Sequence, residues 1–213
     1  MKKRIAIDLG GLFGYDCSDL FDRDRWIVRN SNWSKPYPEI IVFGGGEDIH
    51  PNIYNNKPAL GLNYAGHPTG RHLIEMEFFR YAIQEGIPML GICRGAQMLC
   101  ALSGGVLIQD VDGHGQTHNV TDIDEHNCLM PSTHHQMMYP QGDYTLLGWA
   151  KHRGGSRTHT IPDYQEFIVD PEIVYFKNTG ALCIQGHPEY TRHGSGARQM
   201  TNKWVQKLFG LEL

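Results

Sequence analysis

The sequence predicts an α/β fold, a doubly wound and mostly parallel central sheet with helices on both faces. Three observations carry this. Short β-branched runs alternate with segments of helical period through the first half of the chain. Two apolar runs stop abruptly at glycine-rich turns, "EIIVFGGG" (39–46) and "IPMLGICRG" (87–95). No repeat, low-complexity tract or proline- and serine-rich linker interrupts the 213 residues, so one domain over 1–213 is expected.

Each element follows from its own residues. "RIAIDL" (4–9) reads as the first strand and "EIIVFGGG" as a strand feeding a tight loop. The segment between them fits the length of one βαβ unit, but the charges in "DLFDRDRW" (19–26) make a poor core helix. "TGRHLIEMEFFRYAIQEG" (69–86) spaces Leu73, Met76, Phe79 and Ile83 as one helical face and stops at Gly86. "IPMLGI" (87–92) is the next strand. "CRGAQMLCALSGG" (93–105) is a helix stopped by Gly104 and Gly105, and "GVLIQDV" (105–111) is a further strand. Residues 112–165 read as loops and short antiparallel strands. "EIVYFKNTGALCIQGHPEY" (172–190) is a hairpin turning at "KNTG", and 196–213 is a closing helix with Met200, Trp204 and Leu208 on one face.

Composition excludes several functions. A net charge of -4 leaves no electrostatic footprint for nucleic acid or an anionic membrane. No apolar stretch approaches the ~20 residues of a membrane helix. "MKKRIAIDLG" contains Asp8 within its short apolar part, so it reads as a strand and not as a signal peptide. Five cysteines without paired spacing suggest free thiols in a reducing, cytoplasmic setting.

In a sheet of this kind the ligand site lies at the carboxyl ends of the strands. Gly44–Gly46 and Cys93 should therefore share one rim. In "GICRG" a strand turns sharply into a helix, and small neighbours let the side chain at the turn stand clear of the sheet. The helix N-terminus favours a thiolate at Cys93, and the Arg94 amide points where an oxyanion would form. Taken alone, Cys93 is equally readable as a small buried hydrophobe. The other four cysteines read as core or surface thiols. "GHPEY" (186–190) supplies a base: Glu189 can accept from His187 Nδ1 and fix the tautomer that takes a proton from Cys93. "HPE" alone would be a surface turn; the joint occurrence is informative.

With these pieces in view, the chain resembles the class I (triad-type) glutamine amidotransferases, and within them the γ-glutamyl hydrolase-like, peptidase C26-like branch. The matching segments are "GGGEDIHPNIY" (44–54), "PMLGICRGAQML" (88–99), "LSGGVLIQD" (102–110), "STHHQ" (132–136) and "GHPEY". The resemblance implies a flavodoxin-like sheet and a catalytic triad of Cys93, His187 and Glu189. It implies an oxyanion hole from the Gly46 and Arg94 amides. Gln97, Gly45, Thr133 and His135 then fall among the substrate-binding residues, His135 as a pocket residue and not the base. No cofactor is implied. Relative to the branch, Gly44 replaces a common proline, Pro131 an asparagine and Gly186 an aromatic residue. A more pliable oxyanion loop, an emptier space beside His187 and a trimmed N-terminal region are the expectations that follow.

The implied reaction opens a γ-glutamyl amide through a thioester, with a small γ-glutamyl compound as substrate. The enzyme is either a free-standing hydrolase or a glutaminase passing ammonia to a separate synthase chain. No P-loop or "SGGxDS"-type motif for the synthase half occurs here. A second copy of the chain is the other protein partner left open. Two rivals stand beside this reading. A regulatory or binding domain could use the same fold. A metal site could use the histidines of "HGQTH" (114–118), "DEHNC" (124–128) and "THHQ" (133–136). Glycines 113 and 115 argue against a helix that would align His114 with His118, so exposed loop histidines and no metal are expected.

Overall fold

The computed structural model describes residues 2–30, 35–54, 56–57, 59, 69–151 and 155–213. In chain order the elements are β1 (Arg4–Asp8), α1 (Leu9–Leu12), β2 (Trp26–Arg29), β3 (Ile40–Phe43), α2 (Gly70–Glu85), β4 (Met89–Ile92) and α3 (Arg94–Leu102). Then come β5 (Val106–Ile108), β6 (Asp110–Val111), β7 (His118–Asp122), β8 (Asn127–Met130), β9 (Met137–Tyr139) and β10 (Thr145–Lys151). β11 (Arg157–Thr158), β12 (Val169–Phe176), β13 (Ala181–Ile184) and α4 (Gly196–Phe209) complete the chain.

Nine strands form one sheet in the order β2-β1-β3-β4-β13-β12-β10-β7-β8. The five from β2 to β13 are parallel, and they carry the rim with the glycine loop, Cys93 and His187. Their runs are apolar throughout because both faces are covered. Alternation sends Ile40, Val42, Leu90, Ile92, Leu182 and Ile184 against Met200, Trp204 and Val205 of α4. Their neighbours Ile41, Phe43, Met89 and Cys183 pack under α2 and α3, against Phe78, Phe79 and Leu99. Helices on both faces make the sheet doubly wound.

Four expectations need correction. The first is the strand at 105–111, which does not enter the central sheet. β13 occupies the place beside β4, so β5 pairs with β9 and β6 with β11 outside the sheet. Between them the Gln109 side chain is fully buried and bonds Lys57 O and the Ala59 amide, which separates the two ladders. The second is the face of α2. Leu73 and Ile83 are exposed, and the helix instead buries Arg71, His72, Glu75, Phe78, Phe79 and Ala82. Its ends agree with the sequence: His72 completes a capping box with Thr69, and Gly86 closes the helix at φ +66°.

The third concerns the region between β1 and β3. Its described residues hold no long helix but do hold the edge strand β2, parallel to β1, while Leu20, Phe21 and Trp26 plug the adjoining core. The fourth concerns residues 112–165, whose expected short antiparallel strands are present but in part join the central sheet. β7, β8 and β10 extend the central sheet as an antiparallel wing through the β12–β13 hairpin. Residues 152–154 of that stretch lie outside the described residues.

One close approach sets the spacing of the rim. A Cβ on Gly95 would lie 1.9 Å from the Phe43 carbonyl oxygen, whereas a Cβ on Gly70 would meet nothing within 4 Å. Gly95→Ala should therefore lose about 1–3 kcal/mol of stability, and Gly70→Ala should stay within ~0.5 kcal/mol of wild type. Chemical denaturation of the two variants measures this directly; equal stabilities would contradict the packing described.

Candidate active site

Cys93 sits between β4 and α3 at φ +51° and ψ -111°, a backbone region that costs a non-glycine residue on the order of 1–3 kcal/mol. The turn is held from both sides. The Cys93 amide donates to Ile184 O of β13 at 2.8 Å, and its carbonyl accepts from the Gln97 amide at 3.1 Å. Gly91 lets the α3 backbone close down on β4, since a Cβ there would lie 2.7 Å from Ala96. The thiol is buried at the N-terminus of α3, where free N–H groups face it.

His187 follows β13 on the same rim, its amide bonded to Pro131 O at 2.8 Å. Its Nδ1 is 2.7 Å from Glu189 Oε1, and its Nε2 is 3.0 Å from Thr133 Oγ1. The Tyr190 ring stacks on the imidazole, 4.2 Å between centroids and 4° from parallel. Burial works against a charge on this ring, but the interactions with Cys93 and Glu189 outweigh it and lift the pKa to about 10. The side of the ring opposite Glu189 looks across the cavity toward the cysteine.

Cys93, His187, Arg94, Gln97, Gly46, Thr133 and His135 all border one cavity of about 220 Å³. That is below the roughly 300–1,000 Å³ of drug-sized clefts and suits a group the size of one amino acid. Gly45 abuts it, because a Cβ there would lie 3.1 Å from His187 Cε1. Gln97 donates to Gln136 O at 2.8 Å, tying α3 to the pocket wall. His135 stands at the mouth between Asp48 (3.0 Å) and Asp110 (2.9 Å). The bond to Asp48, then that to Asp110, raises its pKa to about 9 against the opposing effect of burial. A larger groove of about 410 Å³ opens at the opposite ends of β4 and β13, around Ile87, Pro88 and Thr179, and neither cysteine nor histidine lines it.

The glycine loop is not pliable. A Cβ on Gly44 would lie 2.6 Å from both Gly10 Cα and Tyr15 O, so glycine here permits two backbones to cross. Gly46 adopts φ +135°, with Arg71 and Tyr15 packed where a side chain would go. The space beside Gly186 is filled by Met130, not empty: a Cβ would meet Met130 Cγ at 2.2 Å.

Sequence reasoning missed what supports this loop. Glu75 of α2 is completely buried between two arginines. Its Oε1 accepts from Arg71 Nε at 3.0 Å, and its Oε2 accepts from Arg94 Nη1. Arg71 Nη2 donates to the carbonyls of Gly44 (3.0 Å) and Gly45 (2.7 Å), and Arg94 Nε donates to Glu47 O (3.0 Å). These bonds fix the orientation of the peptides that follow Gly44, Gly45 and Glu47. The only sequence signal was the pair Arg71 and Glu75 at i, i+4, which reads equally well as a solvated surface pair.

The histidines also differ from expectation. His114, His118 and His134 are not exposed in loops; they are buried together around Glu172 of β12. "HGQTH" is no helix. It runs into β7 and wraps both histidines onto β12. His126 of "DEHNC" is exposed and lies 2.8 Å from Lys203 Nζ.

The comparisons with known proteins agree with this architecture. Residues 39–153 match the family model described as Peptidase C26, and the chain belongs to that family. A Mycobacterium tuberculosis protein, provisionally described as a glutamine amidotransferase, is 41% identical over 170 residues. That match covers 70% of this chain and 50% of the relative, so this chain spans about half the relative's length. A Thermotoga maritima glutamine amidotransferase structure superposes with a TM-score of 0.59 at 16% identity, over 97% of this chain and 82% of that one. A Thermoplasma acidophilum structure, provisionally described as one of the subunits of a GMP synthase, gives 0.57 at 12% identity over 99% and 96%. The fold is that of the class I glutamine amidotransferases. None of the described helices is long and apolar enough to cross a membrane.

Two outcomes follow from the electrostatics. Removing Glu75 strands two buried guanidinium groups, so Glu75→Ala should lose about 3–5 kcal/mol in chemical denaturation. A loss below 1 kcal/mol would mean the arginines find water. The second concerns His187, whose folded pKa is raised from 6.5 to about 10. Its stabilising contribution is complete below pH 6.5 and disappears as pH rises through about 10. The stability gap between wild type and His187→Gln should therefore narrow from pH 6 to pH 10; a constant gap would refute the shift.

Proposed function

We propose that this chain hydrolyses γ-glutamyl amides, with Cys93 as nucleophile, His187 as acid–base and Glu189 as its orienting carboxylate. One observation carries the reading: a cysteine in a strained strand-to-helix turn shares a small cavity with a histidine bonded at 2.7 Å to a glutamate. The Cys93 sulfur adds to the γ-carbonyl carbon, and the amides of Gly46 and Arg94 receive the oxyanion. Each such donor is worth roughly 3 kcal/mol in the transition state. The C–N bond then breaks as His187, already protonated, gives its proton to the leaving amine. Water attacks the γ-glutamyl thioester, His187 takes a proton from it, and glutamate leaves as the thiolate is restored.

The pocket mouth supports a glutamyl group. A charged His135 can meet an α-carboxylate, and Glu47 and Asp48 can meet an α-ammonium. Thr133 shares the His187 Nε2 proton in the resting site and would release it when substrate enters. Free, buried thiols throughout fit a reducing cytoplasm.

A second reading is a glutaminase that hands ammonia to a synthase in another chain. It is favoured by the fold shared with the Thermoplasma protein, which is described as one part of a synthase. A non-catalytic binding domain would leave the strained cysteine without a purpose.

Glutamate release from glutamine and from a panel of γ-glutamyl amines decides among these. Turnover of a γ-glutamyl amine is expected, falling by about 10⁴-fold or more in Cys93→Ala and by roughly 10²–10⁴-fold in Glu189→Gln. Release of glutamate from glutamine only after a synthase is added would favour the second reading. Unchanged turnover in Cys93→Ala would remove the triad.

A further inference from the structure

Behind the pocket wall, four buried side chains converge from three separate segments. His114 precedes β7, His118 opens it, His134 lies in the 131–136 segment and Glu172 stands in the middle of β12. One ligand atom from each lies within 4.8 Å of all the others. All four side chains are at most 1% exposed.

Their outward atoms are fully committed. His114 Nε2 is 2.9 Å from Asp170 Oδ2, which Arg157 also holds at the carboxylate's other oxygen. His118 Nδ1 is 2.9 Å from Gln116 O, and His134 Nδ1 is 2.9 Å from Gln136 O. Each of these partners can only accept at that atom, so each outward ring nitrogen carries the hydrogen. In the neutral ring the inward nitrogen is then a bare lone pair. Of the three inward nitrogens, His118 Nε2 reaches Glu172 Oε1 at hydrogen-bond distance, 2.9 Å, while those of His114 and His134 make no such bond to the carboxylate. Three inward atoms are orphaned: His114 Nδ1, His134 Nε2 and Glu172 Oε2 have no hydrogen-bond partner. Buried polar atoms of this kind are rare without an unseen ion or water.

The spacing discriminates further. Glu172 Oε1 is 3.3 Å from His114 Nδ1, 2.9 Å from His118 Nε2 and 3.8 Å from His134 Nε2. A tetrahedral ion with ligand bonds of about 2.0–2.1 Å has edges of about 3.3 Å between its ligands. The outer bonds to a carboxylate and two carbonyls are what fixes the tautomer of metal-bound histidines.

We propose that His114, His118, His134 and Glu172 form a closed structural site for one divalent transition-metal ion, with Zn²⁺ the best fit. Three imidazoles and one carboxylate suit zinc, and four protein ligands leave no open position for chemistry. The ion would be a staple. It would join β12 to the segment carrying Thr133, whose hydroxyl lies 3.0 Å from His187 Nε2. The inference does not depend on the proposed reaction, because its readouts are metal content, spectrum and stability.

The test uses the whole chain, prepared with and without a strong chelator. Wild type should hold one equivalent of zinc per chain, and chelation should lower its Tm by several degrees, restored by Zn²⁺ alone. Replacement with Co²⁺ should give the intense visible absorption of a tetrahedral site. That absorption should vanish in His118→Asn and Glu172→Gln and survive in His193→Asn, an exposed histidine outside the cluster. Where a ligand variant fails to fold, the wild-type Co²⁺ spectrum decides alone. Wild type that binds no Zn²⁺ or Co²⁺ at micromolar concentration, with a Tm indifferent to chelator, would overturn the site and leave a protonated histidine–glutamate cluster. Metal retained in both ligand variants, or an octahedral Co²⁺ spectrum, would overturn it equally.

Discussion

The contact of Gly95 with the Phe43 carbonyl is the constraint on which the candidate site rests. Any side chain at 95 would push α3 away from the end of β3. With hydrogen only, the turn after β4 and the loop after β3 meet at one point on the rim. The parallel order β3-β4-β13 then adds His187 from the next strand. Three segments distant in sequence thus deliver a thiol, an amide loop and an imidazole to one cavity. The positive φ at Cys93 is tolerated because backbone bonds to Ile184 and Gln97 fix it from both sides.

The second constraint is ionic. Burying Glu75 between Arg71 and Arg94 is a weak source of stability, since desolvating three charged groups offsets much of their attraction. Its effect is geometric. The two guanidinium groups hold the carbonyls of Gly44, Gly45 and Glu47, so the loop cannot flip its peptides without stripping a buried guanidinium of a carbonyl acceptor. In the proposed reaction, a loop presenting an amide to a developing negative charge would need this fixity more than affinity. Arg94 also occupies the first position of α3, so its side chain anchors the loop from the start of the helix that borders the cavity.

What could be read in the sequence follows from burial on two faces. β1, β3, β4 and β13 were legible because strands covered on both sides are continuously apolar, and glycines marked their ends. β2 was not. It is an edge strand with only Trp26 buried, set among charges. The face of α2 misled because Leu73 and Ile83 look like core residues, whereas the buried stripe carries Arg71 and Glu75, ions that hydropathy assigns to solvent. Cys93, His187 and Glu189 were visible as motifs at the ends of strands. The supports for the loop were not, because an arginine reaching a carbonyl some 26 or 27 residues away leaves no local pattern.

The histidines make the same point from the other side. His114 and His118 have a spacing that helices use for metal ligands, and without a helix that spacing carries no weight. The convergence depends instead on Glu172, which no spacing rule links to residues 114, 118 or 134. Residues 131–136 are what joins this cluster to the rim that carries Cys93 and His187. Pro131 O takes the His187 amide, Thr133 meets His187 Nε2, His134 enters the cluster, and Gln136 O takes Gln97. One short segment therefore faces both the cavity and the buried cluster. A wall so placed has little freedom to shift: moving His134 by an ångström moves Thr133 with it, and with Thr133 the contact to His187 Nε2. Whatever balances the charge around Glu172 therefore helps to set the position of the imidazole that faces Cys93.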